Sequence, residues 1–265
     1  MIVDGKKIAE EILQELEKER ASLPLVLRLG VVMGAGDAAS DSFVRIKERT
    51  AKRLRVDVSR EVLAKDSSTT DAIHAVLRLS KATAGVIIQM PIPNADEMVA
   101  ALQPERDVDG LGQNAIVLPP VAGAVLKILQ HANLLNEAKL HADTRAVVVG
   151  AGKLVGAPAA VLLRDLGADV EVVTKHDGRL ILLKNADIVV LGAGEPGLIT
   201  PDMIKQGTVL IDAGTSEAVG KLAGDADPAC ANVASVFTPV PGGVGPITVA
   251  MLFKNLFALA QGPTI

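Results

Sequence analysis

Short apolar runs of strand length alternate with amphipathic stretches along all 265 residues, which restricts the chain to α/β folds built on mainly parallel sheets. In the first half, Asp4 can cap a helix whose Ile8, Ile12 and Leu16 share one face as far as Arg20. Residues 25–33 read as a β-branched strand closed by a Gly-Ala-Gly-Asp turn at 34–37, and a helix follows over 41–54. Residues 56–63 alternate as a strand, and Ser68 or Thr69 can cap a helix reaching Leu79. Residues 85–90 form a buried strand stopped by Pro91 and Pro93. The second half repeats the rhythm, with strands at 146–149, 170–174, 188–191 and 209–212, a helix over 155–166 and a shorter one after Thr174. A last helix starts at the Gly245-Pro246 pair and runs to Gln261. Two domains joined near Pro119 and by the helix after it, with ligands in the cleft between them, account for this pattern.

Bulk properties narrow the function. A hydrophobic share of 49% can fill a substantial core. The net charge of −4, with scattered Lys and Arg and no aromatic platforms, argues against nucleic acid as a partner. No apolar run reaches the roughly 18 residues that span a bilayer, and Asp4, Lys6 and Lys7 interrupt any signal-peptide core. No membrane association is expected, and the location expected is the cytoplasm. The single Cys230 cannot close an internal disulfide and suits a reducing compartment. His74, His131, His141 and His176 lack metal-ligand spacing, so no metal is expected. There is neither Trp nor Tyr, so no phenol hydroxyl is available to any chemistry here.

Several local patterns can carry chemistry. Gly150, Ala151, Gly152 and Gly156 form a Gly-x-Gly-x-x-x-Gly turn between a strand and a helix, where backbone and helix N-terminus can receive a pyrophosphate. A ligand-free tight turn would also favour those glycines. The next strand ends in Lys175 and His176 rather than an acidic residue, so these side chains either face a ribose 2′-phosphate or are simply solvated. Phe43 and Lys47 stand one helical turn apart; a lysine among apolar groups loses solvation and is prepared for acid-base work, whereas a surface lysine on this basic helix would do nothing. Gln89 ends a buried strand, where it either reads a ligand or satisfies a neighbouring backbone group. Asp107 and Asp109 offer carboxylates to an amino-pyrimidine-like edge, or build an Asp-Gly turn.

The motifs at 2–6, 43–47, 85–91 and 106–110, with Thr-Pro-Val-Pro-Gly-Gly-Val-Gly-Pro-Ile-Thr at 238–248, occur in the order seen in methylenetetrahydrofolate dehydrogenase/cyclohydrolases, and the whole chain resembles that family. The last motif is the most specific. The resemblance implies a substrate domain over residues 1–120, joined by the C-terminal helix 246–265, and a Rossmann-like NAD(P)-binding domain over 121–245. It implies a homodimer using NADP, with NAD possible, on one-carbon tetrahydrofolates: oxidation of 5,10-methylene- to 5,10-methenyltetrahydrofolate and hydrolysis to the 10-formyl form. Lys47 becomes the acid-base group, Gln89 its partner and Asp109 the holder of the pterin. Phe43, Ile88, Met90, Pro241, Gly242, Gly243, Val244 and Gly245 line the substrate. Gly150, Ala151, Gly152, Lys175, His176 and Thr215 receive the cofactor. The chain also departs from the family: Phe43 replaces the usual tyrosine, 119–122 replaces Pro-Cys-Thr-Pro, and 150–152 lacks the usual hydroxyl and arginine.

Overall fold

The computed structural model describes residues 1–23, 26–218 and 221–262. Leu25, expected to open the first strand, and residues 263–265, expected to extend the C-terminal helix segment, lie outside the described residues. The chain forms two compact units, Met1–Ala9 with Val121–Thr248 and Glu10–Pro120 with Val249–Ile265.

Helix α1 (Gly5–Glu19) opens where Asp4 accepts the Lys7 N–H at 3.1 Å. Then come β1 (Arg28–Gly34), α2 (Ala38–Arg53), β2 (Asp57–Leu63), α3 (Thr69–Ala82), β3 (Gly85–Gln89) and the short α4 (Ala95–Ala101). Helix α2 begins at Ala38 rather than residue 41, because Asp37 accepts both the backbone N–H and the hydroxyl of Ser40. A capping box starts α3: Ser68 Oγ accepts the Asp71 N–H and Asp71 Oδ2 accepts the Ser68 N–H, each at 3.1 Å. The sheet is parallel in the order β2-β1-β3. Strand β3 is buried throughout and β1 nearly so, while edge strand β2 is part exposed, which is why the first two read as apolar runs and the last as alternation. Ala72, Ala75, Val76 and Leu79 of α3 pack with Val32, Val86 and Ile88 of the sheet and with Met98 and Leu102. Burying a Val or Leu contributes about 1.5–3 kcal/mol.

The other unit runs through α5 (Pro120–His131), β4 (Arg145–Val149), α6 (Gly156–Asp165), β5 (Asp169–Val173), β6 (Ile188–Leu191), β7 (Val209–Asp212), the hairpin β8 (Ser216–Ala218) and β9 (Lys221–Ala223), β10 (Val236–Phe237) and α7 (Val244–Gln261). The short helix expected after β5 is a 3₁₀ stretch, Arg179–Asn185. All five strands of the sheet β10-β7-β6-β4-β5 are parallel, a Rossmann-like arrangement. Met1 and Val3 extend it: Val3 donates to the Phe237 carbonyl at 2.8 Å and Phe237 to the Met1 carbonyl at 2.9 Å. In both sheets the strand order reverses beside the first strand, between β1 and β3 and between β4 and β6. Ligands of open α/β sheets bind at the carboxyl ends there.

Helix α7 is long and apolar enough, by length and composition alone, to cross a membrane. Here Phe253, Leu256 and Phe257 are wholly buried in the protein. Its buried Asn255 donates through Nδ2 to the carbonyls of Val108 (2.9 Å) and Leu118 (2.8 Å), fixing both ends of the loop that carries Asp109.

Candidate active site

Strand β3 ends at Gln89, at the switch point of its sheet, and α2 carries Lys47 to the same place. Lys47 Nζ donates to Gln89 Oε1 at 2.8 Å, and Gln89 Nε2 donates to the Met90 carbonyl at 2.8 Å. Gln89 therefore satisfies a neighbouring backbone carbonyl, as one of its two readings expects, and its amide oxygen also orients a lysine. The loop after α4 runs back alongside β3, with Asp107 bridged to Val86. Asp107 is buried and its Oδ2 accepts the Gly112 N–H at 2.7 Å, so this carboxylate builds the turn. Asp109 instead stands near enough to Lys47 for their charges to interact.

Burial sets the electrostatics. Loss of solvation pulls the Lys47 pKa below its ordinary 10.5, partly opposed by the Asp109 charge. Burial pushes the Asp109 carboxyl up to about 6, against the lowering effect of Lys47, with Asp107 adding to the rise. The surface-lysine reading of Lys47 is corrected by this environment. Phe43, one turn before Lys47, is 39% exposed. Ile88 is buried and Met90 half-buried.

In the other unit, the turn after β4 packs tightly where packing is needed and is open where it is not. A Cβ on Gly156 would lie 1.9 Å from the Gly150 carbonyl oxygen, whereas one on Gly152 would meet nothing within 4 Å. No side chain caps the start of α6 at Val155, but the Ala157 N–H donates to the Gly152 carbonyl at 3.0 Å and Pro158 has no N–H, so what the turn offers a ligand is the open space at Gly152. These residues fit a dinucleotide pyrophosphate. Ala151, Lys175, His176 and Thr215 are exposed. Lys175 forms an ion pair with Glu195, while Arg179 turns back to Glu171 and Asp177. In the 241–245 segment, Pro241 and Gly245 are exposed, Gly243 and Val244 are buried, and Gly242 holds φ +110 with open space at its Cβ position.

Three contributors lay beyond sequence reasoning. Asn255 holds the Asp109 loop, and its only signal was a lone amide in an apolar helix. Lys153 is an exposed cation inside the glycine turn itself. Asp225 is fully buried and its carboxylate gathers the N–H groups of Ala193 (2.6 Å), Gly194 (3.1 Å) and Glu195 (2.7 Å) after β6.

Fold and glycine turn together define a two-unit α/β protein with a Rossmann-like nucleotide-binding sheet. Family comparison makes this particular: residues 3–109 match the tetrahydrofolate dehydrogenase/cyclohydrolase catalytic domain, and residues 119–263 match the NAD(P)-binding domain of the same family. The bifunctional protein FolD of Staphylococcus aureus (strain Newman) is 34% identical over 96% of this chain and 94% of its own length. Among solved structures, FolD methylenetetrahydrofolate dehydrogenase/cyclohydrolase from Campylobacter jejuni superimposes with a TM-score of 0.91 at 27% identity, covering 98% of both chains. The Trypanosoma brucei enzyme complexed with NADP cofactor and inhibitor gives a TM-score of 0.87 at 29% identity, covering 98% of this chain and 97% of that one. The chain belongs to the tetrahydrofolate dehydrogenase/cyclohydrolase family.

Proposed function

We propose that this protein oxidises 5,10-methylenetetrahydrofolate to the 5,10-methenyl form with NADP and hydrolyses that product to 10-formyltetrahydrofolate. The observation that carries the reading is the Lys47–Gln89 hydrogen bond beside Asp109, in a chain matching both domains of the family. NADP, held at the Gly150–Gly152 turn, would supply the hydride acceptor. Gln89 holds the Lys47 amine at one geometry, and burial lowers its pKa, so that Lys47 can move a proton during water addition. Asp109 accepts from the pterin edge. Phe43, Ile88, Met90 and residues 241–245 supply further substrate contacts. Gly150, Ala151, Gly152, Lys175, His176 and Thr215 serve the cofactor, with Lys153 added to them. Residues 1–120 with 246–265 are assigned to substrate and catalysis and 121–245 to the dinucleotide, with Met1–Ala9 packing in the same compact unit as Val121–Thr248. A cytoplasmic homodimer is the working assembly, which sedimentation of the purified protein tests. The activity itself is tested by following cofactor reduction with 5,10-methylenetetrahydrofolate, using NADP and NAD in parallel. Absence of reduction with either cofactor would overturn the reading.

The two half-reactions are not equally served. Phe43 keeps a ring for packing but lacks the hydroxyl of the family's usual tyrosine, and a hydrogen bond to a charged group is worth about 1.5–3 kcal/mol, or roughly ten- to a hundredfold in rate. Water addition needs a positioned water and proton movement, whereas hydride transfer passes directly between carbons. Phe43→Tyr is therefore expected to raise the cyclohydrolase rate at least severalfold, with little change in substrate KM. The measurement is methenyltetrahydrofolate hydrolysis corrected for its spontaneous rate; equal rates in both proteins would show that another group fills the role.

The acid limb of activity follows from Asp109. With its pKa near 6, the carboxyl is ionised and accepting above that pH, and takes a proton as pH falls through it. The dehydrogenase kcat/KM is expected to decline below about pH 6, as Asp109 loses its acceptor charge. On the alkaline side, Lys47 should lose its proton below the ordinary lysine value of 10.5, and the cyclohydrolase rate rather than the hydride transfer should respond to that loss. A pH profile of Asp109→Asn should lack the acid limb; its persistence would assign that limb elsewhere.

A further inference from the structure

Lys175 lies just beyond β5 and Glu195 just beyond β6, and their side chains form an ion pair. Strand β4 lies between β5 and β6 in the sheet, and its carboxyl end is the Gly150–Gly152 turn. The pair therefore joins the two loops that flank the glycine turn, at the edge where a dinucleotide is received. Glu195 is not a loosely placed surface residue. Its backbone N–H is fixed at 2.7 Å on the buried Asp225 carboxylate, along with those of the two residues before it. Both side chains remain accessible, 39% exposed for Lys175 and 41% for Glu195, so the pair can be split by a ligand.

We propose that Glu195 is a specificity-determining residue that competes with the ribose 2′-phosphate of NADP for Lys175. The inference rests on the cofactor reading above. A 2′-phosphate at Lys175 shares the ammonium with Glu195 and brings a dianion close to the Glu195 carboxylate. NAD carries only hydroxyls there, and these can accept from Lys175 and donate to Glu195 without breaking the pair. Glu195 thus narrows the advantage of NADP over NAD, although Lys175 supplies the charge that would create it.

The test is calorimetric titration of the full chain with NADP, NAD and adenosine 2′,5′-bisphosphate, needing no turnover. Glu195→Gln keeps the size of the side chain and removes its charge. It should tighten NADP and the bisphosphate roughly fivefold or more, as expected for relieving one partly screened like-charge contact, and leave NAD within about twofold. Lys175→Met should weaken the same two ligands more than it weakens NAD. Parallel shifts for NAD and NADP in Glu195→Gln, or unchanged NADP affinity, overturn the proposal while leaving the cofactor reading intact. A parent protein that binds neither dinucleotide overturns both. A thermal melt of each variant separates misfolding from altered recognition, and Glu195→Ala, which also lacks the charge, must shift the ligands in the same direction as Glu195→Gln.

Discussion

Lys47→Met is expected to lower the cyclohydrolase rate by about 10²–10⁴-fold, the range a positioned acid-base group contributes. Methionine keeps the length of the side chain and removes the amine that donates to Gln89 Oε1 at 2.8 Å. Folding should survive, because the change abolishes the cost of desolvating an ammonium while leaving one amide oxygen to find water or substrate. The decisive comparison is methenyltetrahydrofolate hydrolysis against a thermal melt on the same preparation. A variant that melts normally and keeps more than about a tenth of the parent rate would remove Lys47 from the centre of the chemistry. A deficit confined to KM would make it a binding group instead.

The largest expected effect on stability lies at Asp225, far from that lysine in sequence. Asp225→Ala leaves the N–H groups of Ala193, Gly194 and Glu195 without their acceptor. These donors are only part-buried and water can reach some of them, so each costs about 1 kcal/mol and the loss should reach about 2–3 kcal/mol. Asp212 stands beside it, accepting from Gly214 (3.0 Å), Asp225 (3.2 Å) and Ala226 (2.9 Å), and burial pushes its carboxyl up to about 6. Urea unfolding should show the midpoint fall for Asp225→Ala and a smaller fall for Asp225→Asn, which retains one acceptor oxygen. Equal midpoints for parent and Asp225→Ala would mean that the β6 loop repairs its own hydrogen bonds.

What could be read in the chain follows the range of the forces involved. Strands β1, β3, β4, β6 and β7 announce themselves because burial on both faces demands apolar residues in a row. Strand β10 is two residues long and the β8–β9 hairpin has three residues per strand; these exist through pairing with a partner, which composition does not encode. Helix α4 was missed for a related reason: it spans seven residues, and the Asn94 before it is left-handed and makes no side-chain cap. For the site, spacing could place Phe43 and Lys47 on one helix face, but nothing local joins Lys47 to a glutamine forty-two residues away. That link came from resemblance to a family. The Lys175–Glu195 pair had no such guide, since it depends on two loops being brought together by strand order.

The division of the chain into units also sets how it can be made and cut. Residues Met1–Ala9 belong with Val121–Thr248, so the chain leaves the first unit inside α1, returns inside α5 and leaves again inside α7. Val3 and Phe237, hydrogen-bonded at 2.8 Å, are separated by nearly the whole sequence. During synthesis the nucleotide-binding sheet cannot acquire its N-terminal segment's partner until almost everything else has emerged, and the substrate unit waits still longer for Phe253 and Asn255. Contacts of such high sequence separation slow folding, since loop closure must precede their reward. Neither unit corresponds to a continuous fragment. Limited proteolysis should therefore yield pieces that stay associated rather than separable folded halves, and expressing either half by a single truncation should give insoluble material.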